Sequence, residues 1–205
     1  MSMSLFDTSK VVKLQLQDAE IEYHPQFFGL EEANALFDKL YQNTQWVEED
    51  IRVYGKIYKQ PRLTAFFANN QKKYGYANIS MIPQPFPPLL NAIKTKVEAA
   101  TQTQFSSCLL NLYRDGQDSN GWHADNEKEL GVNPVIASVS LGVSRYFHLK
   151  HNSDKSQRLK LELTHGSLLL MEGATQHFWK HQIAKTAKKV GPRINLTFRK
   201  VLKAH

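Results

Sequence analysis

From Phe105 onward the chain changes character, and that change limits the folds open to it. Six short runs (107–113, 135–141, 145–149, 159–163, 167–171 and 193–201) have the composition of β-strands. Gly, Asn, Asp and Pro turns separate them, including Asp115-Gly116 and Asn120-Gly121. Ahead of them, two segments carry helical spacing: Leu36, Phe37, Leu40 and Tyr41 within 30–42, and Leu89, Leu90, Ile93 and Val97 within 89–100. The second follows a proline-rich stretch, 83–88, that suits a helix start. Helices first and short strands afterwards predict an α+β fold with a C-terminal double-sheet jelly roll. At 205 residues, with no internal repeat or low-complexity linker, a single domain over 1–205 is expected.

Composition narrows the setting. Hydrophobic residues at 41% and charged residues at 22% are ordinary for a soluble globular protein. No apolar run reaches the length of a membrane span, so no membrane partner is expected. The opening stretch, 1–10, is polar and holds no signal-peptide core. Cys108 is the only cysteine, which excludes an internal disulfide, and its apolar flanks Phe105 and Leu109-Leu110 mark it as a buried structural thiol. A reducing cytoplasm, bacterial by expectation, and a monomeric state follow as defaults. The net charge of +7 favours a polyanionic partner without requiring one. Lys185, Lys188 and Lys189 form the densest basic cluster and read as a solvated loop.

The chemistry is carried by His123-Ala124-Asp125, by the histidines far downstream, and by Arg193 and Arg199. Two imidazoles and one carboxylate fill one face of a non-haem Fe(II) ion and leave the opposite face for a co-substrate and O2. Positions i and i+2 of a strand share a side, which suits His123 and Asp125. The two arginines suit a dicarboxylate, because a guanidinium fork holds a carboxylate bidentately. The residues therefore point to an oxygenase that uses Fe(II), 2-oxoglutarate and O2. Eight histidines compete for the ligand positions. His148 and His151, beside Lys150, read as solvated, and His165, before Gly166, reads as a turn residue. His177 and His181 share a face of an extended segment, so spacing leaves both as rivals for the third ligand.

Over 50–201 the chain resembles the AlkB family of Fe(II)/2-oxoglutarate nucleic-acid dealkylases, most closely the animal homologues that repair alkylated DNA. The matching stretches are Pro61-Arg62, Asn111-Leu112-Tyr113-Arg114-Asp115-Gly116 and His123-Ala124-Asp125. They continue through Ile136-Ala137-Ser138-Val139-Ser140-Leu141-Gly142 and His165-Gly166-Ser167-Leu168-Leu169-Leu170-Met171 to Pro192-Arg193-Ile194-Asn195-Leu196-Thr197-Phe198-Arg199. The resemblance implies a double-stranded β-helix core over 105–201, supported by N-terminal helices, and a nucleotide-recognition lid over 50–85. It implies His181, two residues after Trp179, as the third ligand, with His177 left as a pocket or structural residue. Asn111 and Tyr113 would hydrogen-bond 2-oxoglutarate, and Arg193 and Arg199 would take one carboxylate each, with Thr197 nearby.

The implied reaction is oxidative dealkylation of 1-methyladenine, 3-methylcytosine and, as a further class, etheno adducts. The implied partner is alkylated DNA, single- or double-stranded, with RNA as a further candidate. A base inside a duplex has to be flipped out to be reached. Tyr74 and Tyr76 match the family's pocket aromatics, with Tyr76 as the stacking residue and His123 bracketing the other face. Arg62 matches a lid residue near the site, and Tyr54 would be the tip of a finger that fills the vacated base stack. The chain departs from its nearer relatives just after Asp125, where Asn126 replaces an acidic residue and Glu127 follows. Three rival readings stand beside this one. They are the same chemistry on RNA or a protein side chain, a nucleic-acid-binding module without catalysis, and a cupin-like metal protein without 2-oxoglutarate.

Overall fold

The structure is a computed structural model, and it describes residues 11–53, 56–69, 74–76 and 79–202. It opens with β1 (Val12–Leu14), β2 (Glu20–His24) and helix α1 (Leu30–Asn43), followed by β3 (Asp50–Val53), β4 (Lys56–Lys59) and β5 (Leu63–Ala68). Next come β6 (Tyr74–Tyr76), β7 (Ile79–Met81) and helix α2 (Pro88–Thr101). The remainder is β8 (Ser107–Tyr113), β9 (Asn120–His123), β10 (Ile136–Gly142), β11 (Arg145–His151), β12 (Arg158–Leu163) and β13 (Ser167–Glu172). A short helix α3 (Thr175–Phe178), β14 (Trp179–Ile183) and β15 (Arg193–Arg199) complete it. A seven-stranded sheet in the order β1-β2-β13-β10-β15-β8-β5 faces a four-stranded sheet in the order β12-β11-β14-β9. Together they make the jelly roll.

Residue alternation explains why the large sheet is buried on both faces. On β8, β10 and β15 one set of side chains is apolar: Leu110 and Leu112, Val139 and Leu141, Leu196 and Phe198. These pack under the two long helices against Leu36, Leu40, Leu90, Ile93 and Val97. Burying each large aliphatic side chain contributes about 1.5–3 kcal/mol. The alternate set points toward the small sheet and is mixed: polar at Asn111, Ser138, Ser140, Arg193, Asn195, Thr197 and Arg199, apolar at Leu109 and Ile136. A second apolar cluster, including Phe147, Leu149, Leu163, Leu169, Met171 and Trp179, fills the rest of that interior.

The helices start as their sequences dictate. Glu31 and Glu32 sit in the first turn of α1, where they complement the helix dipole, and Pro88 occupies the opening turn of α2. Gly142 ends β10 at φ +89°, and a Cβ there would run into the Pro192 carbonyl and the Phe37 ring. No helix among the described residues is long and apolar enough to cross a membrane.

Several expectations are corrected. Strands β1 and β2 precede the first helix and extend the large sheet, so helices do not come first. Asn120-Gly121 is not a turn but the start of β9, and Asp125 lies beyond the end of that strand rather than two places along it. His177 sits on α3, not in an extended segment. His151 is buried, packed against Phe178 and Trp179 with Nε2 3.3 Å from Asp18, instead of solvated. Within the expected lid, β5 is an edge strand of the large sheet with Thr64–Phe67 buried, while β3–β4 and β6–β7 are separate two-stranded hairpins.

Candidate active site

Between the two sheets lies a pocket whose large-sheet wall is the polar stripe Arg193, Asn195, Thr197 and Arg199 of β15 with Asn111 and Tyr113 of β8. The period-2 pattern of β15 sends its arginines to one side and Ile194, Leu196 and Phe198 to the other. Opposite them, β9 and β14 are paired with His123 directly across from His181. The two imidazole rings lie 4.2 Å apart between centroids. Asp125 enters from the segment after β9, and its backbone N–H is held by Gln176 Oε1 on α3 at 2.9 Å. One ligand atom from each of His123, Asp125 and His181 lies within 4.8 Å of the others.

Protonation prepares this trio for a cation. Burial holds both imidazoles below their usual range, and His181 falls to about 3. Burial alone would raise the Asp125 carboxyl, but Arg199 and the two histidines bring it down to about 2. His123 Nδ1 lies 2.7 Å from the Gly121 carbonyl, so it carries the hydrogen and leaves the Nε2 lone pair facing the pocket. Two neutral imidazole nitrogens and one ionised carboxylate fit Fe(II).

The co-substrate end fits as well. Arg193 is 1% exposed, and only its Nη2 has a hydrogen-bond acceptor, Ser140 Oγ at 2.8 Å. Its Nε and Nη1 are buried without one. Burial draws its pKa down to about 10, which still leaves it charged at neutral pH. A buried guanidinium with two open donors is costly unless an anion completes it, and a carboxylate is the matching shape. Asn111 accepts a 2.7 Å hydrogen bond from Arg62 Nε through Oδ1, which turns its amide donors toward the pocket. Thr197 donates to Asn195 Oδ1 at 3.0 Å, and Asn195 donates to Ser138 Oγ at 2.7 Å. Arg199 Nη2 is 2.8 Å from Asp125 Oδ1. Its charge is thus shared with the acidic ligand instead of being reserved for a second carboxylate.

The structure brings together His123, Asp125, His181, Asn111, Tyr113, Arg193, Thr197 and Arg199. His177 is exposed on α3, where its Nε2 accepts a hydrogen bond from Asn133. Arg62 is buried behind Asn111, with Nη1 reaching Ser119 O, and does not line the pocket. Asn126 is exposed. Glu127 is half-buried, and burial with Asp125 nearby raises its carboxyl. Tyr74 and Tyr76 are described through their backbone in β6 only, and Tyr54 lies outside the described residues. Sequence reasoning missed Asn120, Gln176, Ser138, Ser140 and Asn195. Asn195 alone had a visible signal, since it sits on the same period-2 stripe as the two arginines.

Residues 20–199 match the 2OG-Fe(II) oxygenase superfamily. The chain is 40% identical over 192 residues to "Alpha-ketoglutarate-dependent dioxygenase alkB homolog 3" of Homo sapiens, covering 87% of this chain and 65% of that protein. It is 34% identical over 185 residues to "DNA oxidative demethylase ALKBH2" of Mus musculus, covering 85% of this chain and 77% of that protein. The chain thus spans just under two thirds of the alkB homolog 3 relative. The solved structure of OsALKBH1 superposes with a TM-score of 0.68 at 16% identity, over 93% of this chain and all of that one, and shares its fold. With the motif order, the jelly roll and the relatives in agreement, the chain belongs to the AlkB family of the 2OG-Fe(II) oxygenase superfamily.

Proposed function

We propose that the protein is an Fe(II)- and 2-oxoglutarate-dependent dioxygenase that removes N-alkyl groups from bases in DNA. The observation that carries this reading is the pairing of two sites in one pocket. A buried His-Asp-His trio stands at one end and a buried arginine with two open donors at the other. The DNA substrate is supported by relatives named as a DNA oxidative demethylase and an alkB homologue.

With Fe(II), 2-oxoglutarate and O2 bound, the centre would couple oxidative decarboxylation of the co-substrate to hydroxylation of the N-alkyl carbon, which then leaves as an aldehyde. The protein's own residues supply placement. His123, Asp125 and His181 present three donors on one side and leave the other side to reactants. Arg193 would hold a carboxylate of 2-oxoglutarate through its two open donors, and Asn111, fixed by Arg62, would donate from the β8 side. Arg199 keeps Asp125 ionised, so the carboxylate stays a ligand instead of taking up a proton. Phe147 stacks on the His181 ring at 5.0 Å between centroids and holds water away from that side. Next to the metal carboxylate in sequence, Asn126 is exposed and uncharged, and Glu127 is the acidic group that follows.

The test is anaerobic loading with Fe(II) and 2-oxoglutarate, then air, with oligonucleotides carrying one 1-methyladenine in single-stranded and paired forms. Loss of one methylene in mass with matching succinate supports DNA dealkylation. Succinate without repair keeps the oxygenase and sinks the methylated-DNA substrate. No succinate from a metal-loaded protein overturns the enzymatic reading.

A further inference from the structure

The small sheet has a second face. Along β11, Arg145, Phe147, Leu149 and His151 are buried, while Tyr146, His148 and Lys150 point away from the pocket. β12 adds Arg158, Lys160 and Glu162 to this outer face, β14 adds Lys180 and Gln182, and the edge strand β9 adds Trp122. The register sets these side chains in rows. Arg158 lies opposite Lys150 and Lys150 opposite Lys180. In the next row Lys160 lies opposite His148 and His148 opposite Gln182. Glu162, opposite Tyr146, is the single acid among these strand positions.

Two features mark this face. The first is unbalanced charge. Some exposed cations elsewhere are matched, as in Lys13 with Glu22, Lys59 with Asp50, Lys96 with Glu32 and Arg114 with Asp118, while others such as Lys39 and Lys128 are not, among the described residues. What marks this face is that four cations gather on three adjacent strands against one acid. Among the described residues, Lys150, Arg158, Lys160 and Lys180 form no ion pair. His148 adds no charge, because burial first and then the Lys160 ammonium keep it below its usual range. The second feature is aromatic surface between the cations. Trp122 is 39% and Tyr146 42% exposed. Lys150 Nζ rests 4.3 Å from the Trp122 ring centroid and Lys160 Nζ 3.9 Å from that of Tyr146. Cations alternating with accessible rings are what a single strand of nucleic acid needs, phosphates meeting the cations and base faces meeting the rings. A duplex hides its base faces and has no use for the rings.

Position ties the face to the pocket. Trp122 directly precedes His123, and Lys180 directly precedes His181, with each pair pointing to opposite sides of its strand. Four strands about 4.8 Å apart put about 15 Å between Trp122's strand and that of Arg158. A strand that left the pocket over the β9 edge would meet Trp122 first and then the rows of cations.

We infer that the outer face of the β12-β11-β14-β9 sheet is a docking surface for single-stranded nucleic acid, holding the strand that flanks the nucleotide in the pocket. The inference rests on the dealkylase reading for the identity of that strand.

The experiment measures binding of an unmodified 15-nucleotide single strand to the full chain at several salt concentrations. In parallel it follows turnover of a lesion-bearing trinucleotide too short to reach the rows. Arg158→Glu with Lys160→Glu should weaken 15-mer binding about tenfold or more and lower the log–log salt slope by about 1–2, at about 0.7 per lost phosphate contact. Trinucleotide turnover should not change. Arg158→Gln with Lys160→Gln should fall between wild type and the charge reversal. Tyr146→Ala should weaken binding with the slope unchanged, the mark of lost stacking. Undiminished 15-mer binding by the charge-reversal variant overturns the proposal, as does a wild type that does not bind the strand. An equal loss on a duplex overturns its single-strand assignment. Wild-type binding through this face without any lesion repair upholds the surface and overturns the dealkylase reading instead.

Discussion

His177 and His181 differ by four positions in sequence and by almost everything that matters in space. His181 is 4% exposed, stacked on Phe147 and facing His123 across a strand pair, whereas His177 is exposed on a single helical turn. His181→Ala should therefore lower Fe(II) affinity at least a hundredfold, since outer-shell changes alone cost about 10–100-fold. His177→Ala should leave it unchanged. Anaerobic metal titration separates the two, and the reverse result would replace the ligand. Arg193 gives a sharper test because it carries two opposite expectations. Replacing it with Met removes charge-assisted hydrogen bonds worth about 1.5–3 kcal/mol each, so the 2-oxoglutarate KM should rise about a hundredfold. The ligand-free protein should melt at the same temperature or higher, because a buried and incompletely paired charge has gone. A fall in melting temperature with an unchanged KM would make Arg193 structural. These residues were legible as residues. Arg193 and Arg199 are suggested by residue type and, with Thr197, His123, Asp125 and His181, are given their roles by the family resemblance, whereas Asn195, on the same strand-period stripe, is overlooked. Ser140, which accepts from Arg193, and Arg62, which orients Asn111, act through contacts that only tertiary structure creates.

At the scale of elements, the strands that read clearly were those buried on both faces, such as β8, β10 and β15, whose apolar half is continuous beneath the helices. The bounds of β9 did not read correctly, since Asn120-Gly121 reads as a turn and Asp125 as a strand residue, and its register with β14 says why. Asn120 pairs with Ile183 and His123 with His181, three residues advancing on one strand against two on the other. That bulge breaks the alternation on which strand recognition depends, and it turns both Asn120 and His123 into the pocket. There the Asn120 amide comes 3.2 Å from His123 Nε2. With the strand ending at His123, no ladder bond fixes Asp125, and α3 takes over that task through Gln176. Gln176→Ala should leave a buried N–H without its acceptor, at a cost of about 1–3 kcal/mol in stability. Metal affinity should fall about tenfold as Asp125 loosens. Urea unfolding and Co(II) titration of the same variant test the two effects together. Lost stability with wild-type metal affinity would confine Gln176 to packing.

At the scale of the whole molecule, the two sheets have to be held at a fixed separation for ligands on one to face arginines on the other. Much of the connection runs through the loop after β8. Asp118 receives hydrogen bonds from the backbone N–H, Nε and Nη2 of Arg114 at 2.8–2.9 Å. Arg145, at the start of β11, donates to the carbonyls of Asp115, Asp118 and Ala184, joining that loop to the end of β14, the strand that carries the third ligand. Burial would raise the Asp118 carboxyl, but its bonds to Arg114 outweigh this and hold it below the usual value. A carboxyl lowered on folding adds stability that is fully present above its unfolded pKa, about 3.9. That stability is lost as pH falls through the lower folded value. Arg114 is 45% exposed, so solvent screens the pair and its contribution is about 1 kcal/mol. Asp118→Asn should accordingly lower unfolding free energy by about 1 kcal/mol at pH 7, with the gap narrowing once pH drops below about 4. Denaturant melts of both proteins at pH 7 and pH 3 measure it. A gap of equal size at the two values would mean that Asp118 clamps the sheets by shape and neutral hydrogen bonds. A narrowing gap would mean that the ionised Asp118 carboxylate, through its bonds to Arg114, is what fixes the loop that Arg145 ties to the small sheet.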